Sequence, residues 1–219
     1  MRVGVAFTPF ETRADTIVRL AIRADELGVA RVEVAEAWSH DSTILLAEIA
    51  QRTERIGLGT GILSMWGRTP ATMALAAAGL QRCSGGRFRL GIGAGSSPLA
   101  EGFHGVLWDR PMAQLRRTVT AVRALLDGER LPEPVAGARP LRLGVPPETR
   151  VPLAVAALAP ASIRLAGELA DAWAPFLWAR SRLGDGRELL REGGDARVAV
   201  GVPVALGQGE AEARRLSAW

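Results

Sequence analysis

Short apolar runs alternate with amphipathic helical segments along almost the whole chain, and this alternation limits the fold more than any other feature. Residues 3–7, 31–35, 56–63, 88–94, 151–158, 172–177 and 198–206 read as strands. The segments between them repeat at helical spacing: in 14–27, Ile17, Ala21, Ala24 and Leu27 share one face, with Gly28 as the stop. Ser39, Asp41 or Ser42 can cap a second helix burying Leu45, Leu46, Ile49 and Ala50. Pro70 and Pro111 stand where further helices start, a position that tolerates proline. Residues 160–170, 183–192 and 210–219 complete the helical set, and 129–150 form a proline-rich connection. Strands joined by helices rather than tight turns run parallel, and a parallel sheet needs helices to cover it.

Two architectures satisfy that pattern. A doubly wound sheet with a dinucleotide site asks for G-x-G-x-x-G running straight into a helix. This chain instead has glycine at alternate positions, Gly91, Gly93 and Gly95, followed by a loop over 96–110 rich in Gly, Ser and Pro. A (β/α)8 TIM barrel accounts for the long loop, since such loops build the functional face. The expectation is therefore one barrel domain over residues 1–219 with seven of its eight strands visible and the eighth strand and final helices missing. Its first and seventh strands would then offer unpaired edges to a continuation of the chain or to a partner.

The alternate glycines carry a second expectation. Glycine inside a strand weakens it unless another body must approach the backbone closely. Gly91, Gly93 and Gly95 on one face point to a flat partner, such as a planar cofactor ring, lying against the strand's end.

Composition excludes some classes. The net charge is +4, but all 27 basic residues are arginine, scattered with no run longer than a pair. That distribution fits biased codon usage, not a basic stripe, so no nucleic-acid partner is expected. No apolar segment approaches the roughly eighteen residues that a membrane-spanning helix needs. The start lacks a signal-peptide layout, and the single cysteine, Cys83, allows no internal disulfide, so a cytoplasmic protein is expected.

Four stretches in order, VEVAEAW (32–38), RTERIGLGTGIL (52–63), RTPATMALAAAGLQRCSGGRFRLGIGAG (68–95) and VPLAVAALAPASIRLAGELADAW (151–173), resemble the luciferase-like monooxygenase superfamily. The resemblance runs from residue 2 to about 215. It implies a barrel oxidoreductase that uses FMN or the deazaflavin coenzyme F-420. Its reaction would be hydride transfer to, or oxygenation of, a small organic substrate. It also implies a homodimer.

By the same resemblance, the third strand carries a bulge with a cis peptide backing the ring, which falls on Gly61–Ile62 with Leu63 and Ser64 beyond it. Gly93, Gly95 and Ser96 would lie beside the ring. Ser96 stands where deazaflavin members often place a glutamate proton donor. Leu158, Ala159, Pro160, Ala161 and Ser162 form the turn that would hold the cofactor's anionic tail, where a helix N-terminus offers free N–H groups and Ser162 a hydroxyl. The family often places an acid followed by histidine after the second strand; here Glu36 is followed by Ala37, and His40 is the nearby imidazole. Glu36 and His40 are thus the candidate catalytic groups. Trp38, Trp66 and Trp178 fall beyond strand ends that converge in a barrel, and are expected to wall one dry pocket. His104 and Cys83 read as packing residues. A second reading, prompted by Ala37, Ser96 and the missing strand, is an inactive truncated relative serving as a cofactor-binding or scaffold protein.

Overall fold

The computed structural model describes residues 3–132, 134–202, 204 and 208–217. The elements in chain order are β1 (Gly4–Phe7), α1 (Ala14–Glu26), β2 (Arg31–Val34), α2 (Ser42–Arg52), β3 (Gly57–Thr60), β4 (Leu63–Ser64), α3 (Pro70–Cys83) and β5 (Phe88–Gly93). A π-helical turn, Pro98–Phe103, precedes α4 (Pro111–Leu126). Then come β6 (Leu153–Ala156), α5 (Pro160–Leu169), β7 (Ala172–Trp173), a 3₁₀ turn at Arg180–Arg182, α6 (Leu183–Gly193), β8 (Arg197–Val198) and α7 (Glu210–Ser217).

Every strand pair is parallel, and the strands stand side by side in chain order, β1-β2-β3-β5-β6-β7-β8, with β4 continuing the β3 position against β5. A doubly wound sheet reverses its strand order at a switch point; this one never does. Consecutive helices pack on one another, α1 on α2 through to α5 on α6, so they form one layer outside the sheet. The result is a curled parallel sheet of seven positions, a half-barrel, as the alternation predicts. Among the described residues, β1 and β8 are its edges.

Local chemistry explains the boundaries. Asp41, of the three candidate caps, starts α2 by accepting from Thr43 N at 2.9 Å. Thr69 caps α3, accepting from Thr72 N at 3.2 Å with Pro70 next. Gly28, at φ +73°, takes the left-handed turn that ends α1. Leu45, Leu46, Ile49 and Ala50 are buried as predicted, whereas Leu27 lies past the end of α1 and is exposed.

The core fills the layer between sheet and helices, with Val32, Leu58, Leu90, Leu153 and Trp173 from the strands facing Ile17, Leu46, Met73, Val122 and Ile163 from the helices. The expected strands come out shorter, the fifth as Leu153–Ala156 and three others changed more. The third breaks in two, the sixth ends at Trp173, and the seventh is Arg197–Val198 followed by one bridge from Gly201 to Phe176. Part of the predicted 198–206 strand lies outside the described residues.

Candidate functional site

The break in the third strand position organises the sheet's C-terminal edge. β3 pairs with β5 at Leu58↔Phe88 and Gly59↔Arg89; β4 resumes at Leu63↔Ile92 and Ser64↔Gly93. The pairing offset changes by one residue between the two, so this position carries one extra residue, a bulge. Thr60 fills the gap with its side chain: Oγ1 accepts from Gly91 N at 2.8 Å and donates to Gly91 O at 2.9 Å. The Gly61–Ile62 peptide is cis. On the other flank, Gly61 N donates to Val34 O at 2.9 Å and Ile62 O accepts from Glu36 N at 3.2 Å.

This geometry changes what the alternate glycines are for. A Cβ on Gly91 would collide with the Thr60 carbonyl oxygen, and one on Gly93 would sit 3.0 Å from Ile62 Cδ1. The body that approaches these two glycines is the bulge itself, so the expectation of a ring lying directly on them is corrected. Ile62, half-buried, and Gly61, exposed, form the outer surface of that arrangement. Leu63 and Ser64 are sealed beneath it, with Ser64 Oγ accepting from Trp66 N at 3.3 Å. Gly95 is open and takes φ +68°, and Ser96 is exposed beside it.

Glu36 is not a free carboxylate. Arg68 grips it with two bonds, Nε to Oε1 at 2.8 Å and Nη2 to Oε2 at 2.8 Å, and Ser42 N adds a third at 3.1 Å. Arg68 also reaches Asp41 at 2.8 Å. The Arg68 and Glu36 side chains are only 19% and 13% exposed. The Glu36 hydrogen bond, followed by that of Asp41, outweighs burial and raises the Arg68 pKa, keeping the guanidinium charged. At Asp41 burial opposes ionisation, but bonds from Thr43 and Arg68 prevail and lower its pKa. With both oxygens engaged, Glu36 ties the β2–α2 loop to the β4–α3 loop. His40 is half-buried, its Nε2 buried with no hydrogen-bond partner. Among the described residues no hydrogen bond joins it to Glu36.

The turn after β6 lies next along the edge, since Gly93 pairs with Ala156. Leu158, Ala159, Pro160 and Ala161 are exposed. Ser162 is buried, and its Oγ donates to Ala159 O at 2.9 Å and accepts from Ala159 N at 3.2 Å. The hydroxyl closes the turn on itself. Pro160 has no N–H, so the donors this helix start can offer are the backbone N–H groups of Ala161 and Ser162.

Each of the three tryptophans packs against another aromatic ring. Trp38, 54% exposed, meets Phe10 edge-on at 5.6 Å; Trp66 meets Trp108 at 5.3 Å; Trp178 meets Trp173 at 5.5 Å. Each ring packs against a partner supplied by a different loop or strand. His104 packs over Gly67, as the packing assignment expected. Cys83 is exposed at the end of α3. Two surface depressions, one along α1 and α2 and one at Gly28–Ala30 with Arg55, include none of the candidate residues. Among the described residues no group of three His, Cys, Asp or Glu could hold a metal, and no helix is long and apolar enough to cross a membrane.

The strand register thus brings Glu36, Gly61, Ile62, Gly95, Ser96 and the 158–162 turn into one arc across β2, the bulge, β5 and β6. Reading the sequence missed Thr60 and Arg68. An arginine two residues before a proline-started helix is no signal by itself; the acids it pairs with, Glu36 and Asp41, are about thirty residues away.

The model of one protein family, the luciferase-like monooxygenases, matches residues 1–219. A Mycobacterium tuberculosis protein named as a coenzyme F-420-dependent oxidoreductase is 32% identical over 189 residues, 80% of this chain and 54% of its own. The monooxygenase RslO1 of Streptomyces bottropensis superposes with a TM-score of 0.83 at 24% identity, covering 98% of this chain and 74% of that one. The oxygenating constituent of 3,6-diketocamphane monooxygenase from Pseudomonas putida, solved with FMN, gives 0.75 at 22% identity, covering 99% and 70%. The chain spans about half the length of the curated relatives it matches, 54% in the first case.

Proposed function

The chain belongs to the luciferase-like monooxygenase family, and from that premise we propose that it is a redox enzyme holding coenzyme F-420, or FMN, along the arc from Gly61 to Ser162. One observation carries the reading. The bulge turns an exposed glycine and a half-buried isoleucine outward, and the start of α5 stands two strands further on, next to β5. A planar apolar ring with an anionic tail needs that pair of features: an apolar surface to stack on and N–H donors for the charge.

The residues fit such a group. Ile62, backed by Gly93, would support the ring face. Gly95, exposed at φ +68°, would leave the ring's far side clear. Ala161 N and Ser162 N would hold the phosphate or acidic tail. The Arg68–Glu36 pair would keep the bulge and the β2–α2 loop in register, through the Glu36 N to Ile62 O bond. Bound and reduced, the ring supplies a hydride equivalent to a small organic substrate or, if it is a flavin, reduces dioxygen for substrate oxygenation. The protein's part is to orient and desolvate it, which explains why few free titratable groups stand on the arc. The deazaflavin is placed first because the M. tuberculosis relative, 32% identical, is named for it.

The same reading includes a cytoplasmic location, pairing as a homodimer, and a single luciferase-like barrel domain over residues 1–219. The experiment is direct binding. The folded chain is titrated with oxidised and reduced F-420 and FMN, following cofactor and tryptophan fluorescence. Saturable binding that Ala161→Pro weakens supports the reading; no binding of either cofactor overturns it.

A further inference from the structure

The inner face of the half-barrel below the arc is unusual in its chemistry. Gly57 and Gly59 of β3, and Gly61 just past its end, lie against β2, which lays charged side chains across them. The Arg31 guanidinium lies 3.3 Å from a Cβ position on Gly57. Glu33 covers the other two: its Oε1 stands 3.3 Å from a Cβ position on Gly59, and its Oε2 stands 3.7 Å from one on Gly61. Arg89, opposite Gly59 on β5, pairs with Oε1. Both side chains are largely buried.

The carboxylate is thereby oriented. Oε1 is held down toward Arg89, at the level of Gly59, and Oε2 is turned up toward Gly61, which belongs to the candidate site. Among the described residues, no group outside its chain neighbours other than Glu33 lies within 4 Å of the space a Gly61 side chain would take. A ligand resting on Gly61 and Ile62 would therefore meet one charged group at its inner edge, an acceptor pre-aligned by its arginine.

We propose that Glu33 is a binding residue that accepts a hydrogen bond from an N–H on the inner edge of the ring, with Arg89 as the group that positions it. The inference rests on the proposed cofactor site and names one contact within it. Flavins and deazaflavins both carry an imide N–H on their pyrimidine edge, so the contact selects that edge to face inward. It leaves the rest of the ring toward the loops. A ligand presenting a carbonyl or an anion there would be rejected, because Glu33 has no proton to offer as a carboxylate.

The test titrates the 219-residue chain with FMN, with FMN methylated at the imide nitrogen, and with F-420, by fluorescence. Methylation is expected to weaken binding about tenfold. The double variant Glu33→Met/Arg89→Met leaves no unpaired charge behind. It is expected to bind FMN and F-420 about tenfold more weakly and to treat FMN and its methylated form alike. Glu33→Gln, which keeps an acceptor oxygen, should recover much of the affinity. Circular dichroism and a cooperative melt establish that each variant is folded. If the wild type binds both FMN forms equally, or the double variant binds F-420 as tightly as the wild type, the inference falls and the cofactor site stands. If the folded wild type binds no cofactor, both fall.

Discussion

Thr60 stands in for a rung of the sheet at Gly91: its hydroxyl bonds both the N–H and the carbonyl of that glycine, at 2.8 and 2.9 Å, where the third strand position breaks. Thr60→Val keeps the shape and removes both bonds, leaving two buried main-chain groups unpaired. We expect a loss of about 2–4 kcal/mol in urea unfolding. Thr60→Ser should lose about 1 kcal/mol or less, because it keeps both bonds.

The two glycines under the bulge should respond differently. Gly91→Ala drives its Cβ into the Thr60 carbonyl oxygen, a main-chain atom fixed by its neighbours. A cost of about 3 kcal/mol or more, or failure to fold, is expected. Gly93→Ala meets side chains rather than main chain: Ile62, at 3.0 Å from Cδ1, and the Ala156 Cβ at 3.2 Å. That variant should stay folded, push Ile62 outward, and weaken cofactor binding more than it lowers the melting temperature. The reverse order of stabilities would refute this account of the bulge.

Arg68→Met removes the cation from the largely buried Glu36, leaving it only Ser42, and from the exposed Asp41, which keeps its Thr43 bonds. Stability should fall by about 3 kcal/mol. Glu36→Gln keeps an acceptor for Arg68 and an oxygen for Ser42 N. If Glu36 positions without moving a proton, single-turnover cofactor oxidation in that variant should stay within about tenfold of wild type. A proton-transfer group would lose roughly a hundredfold or more.

Two acids at the opposite end of the sheet set the acid limit. Asp25 is buried, which would raise its pKa, but hydrogen bonds from the main-chain N–H groups of Glu54, Ile56 and Arg55 outweigh this and lower it below 3.8. Asp171 is likewise lowered, its desolvation overcome by Leu153 N, Arg150 and Arg123. A carboxyl with a depressed folded-state pKa adds stability that is fully present above its unfolded value and disappears as pH falls through the folded one. Urea midpoints should hold level down to about pH 4 and then drop. Asp25→Asn should flatten that drop while lowering stability at pH 7, since its oxygen can replace only one carboxylate oxygen and its NH2 then faces a main-chain N–H such as that of Glu54.

Much of the fold was legible because it rests on local rules. Apolar runs, proline starts and glycine stops mark the strands and helices, and the periodic residues Leu45, Leu46, Ile49 and Ala50 are buried where their spacing puts them. The G-x-G-x-G pattern likewise signalled close approach to the fourth predicted strand. The approaching groups were decided elsewhere. Thr60 and Ile62 reach Gly91 and Gly93 from a strand about thirty residues earlier, and only the one-residue change of register puts them there. Glu36 read as a free acid because Arg68 is distant in sequence. The tryptophans read as one wall because strand ends converge; which aromatic ring each one meets was not legible. Periodicity determines which face a side chain takes; which groups meet across strands depends on register and loop path, and those exist only once the sheet has curled.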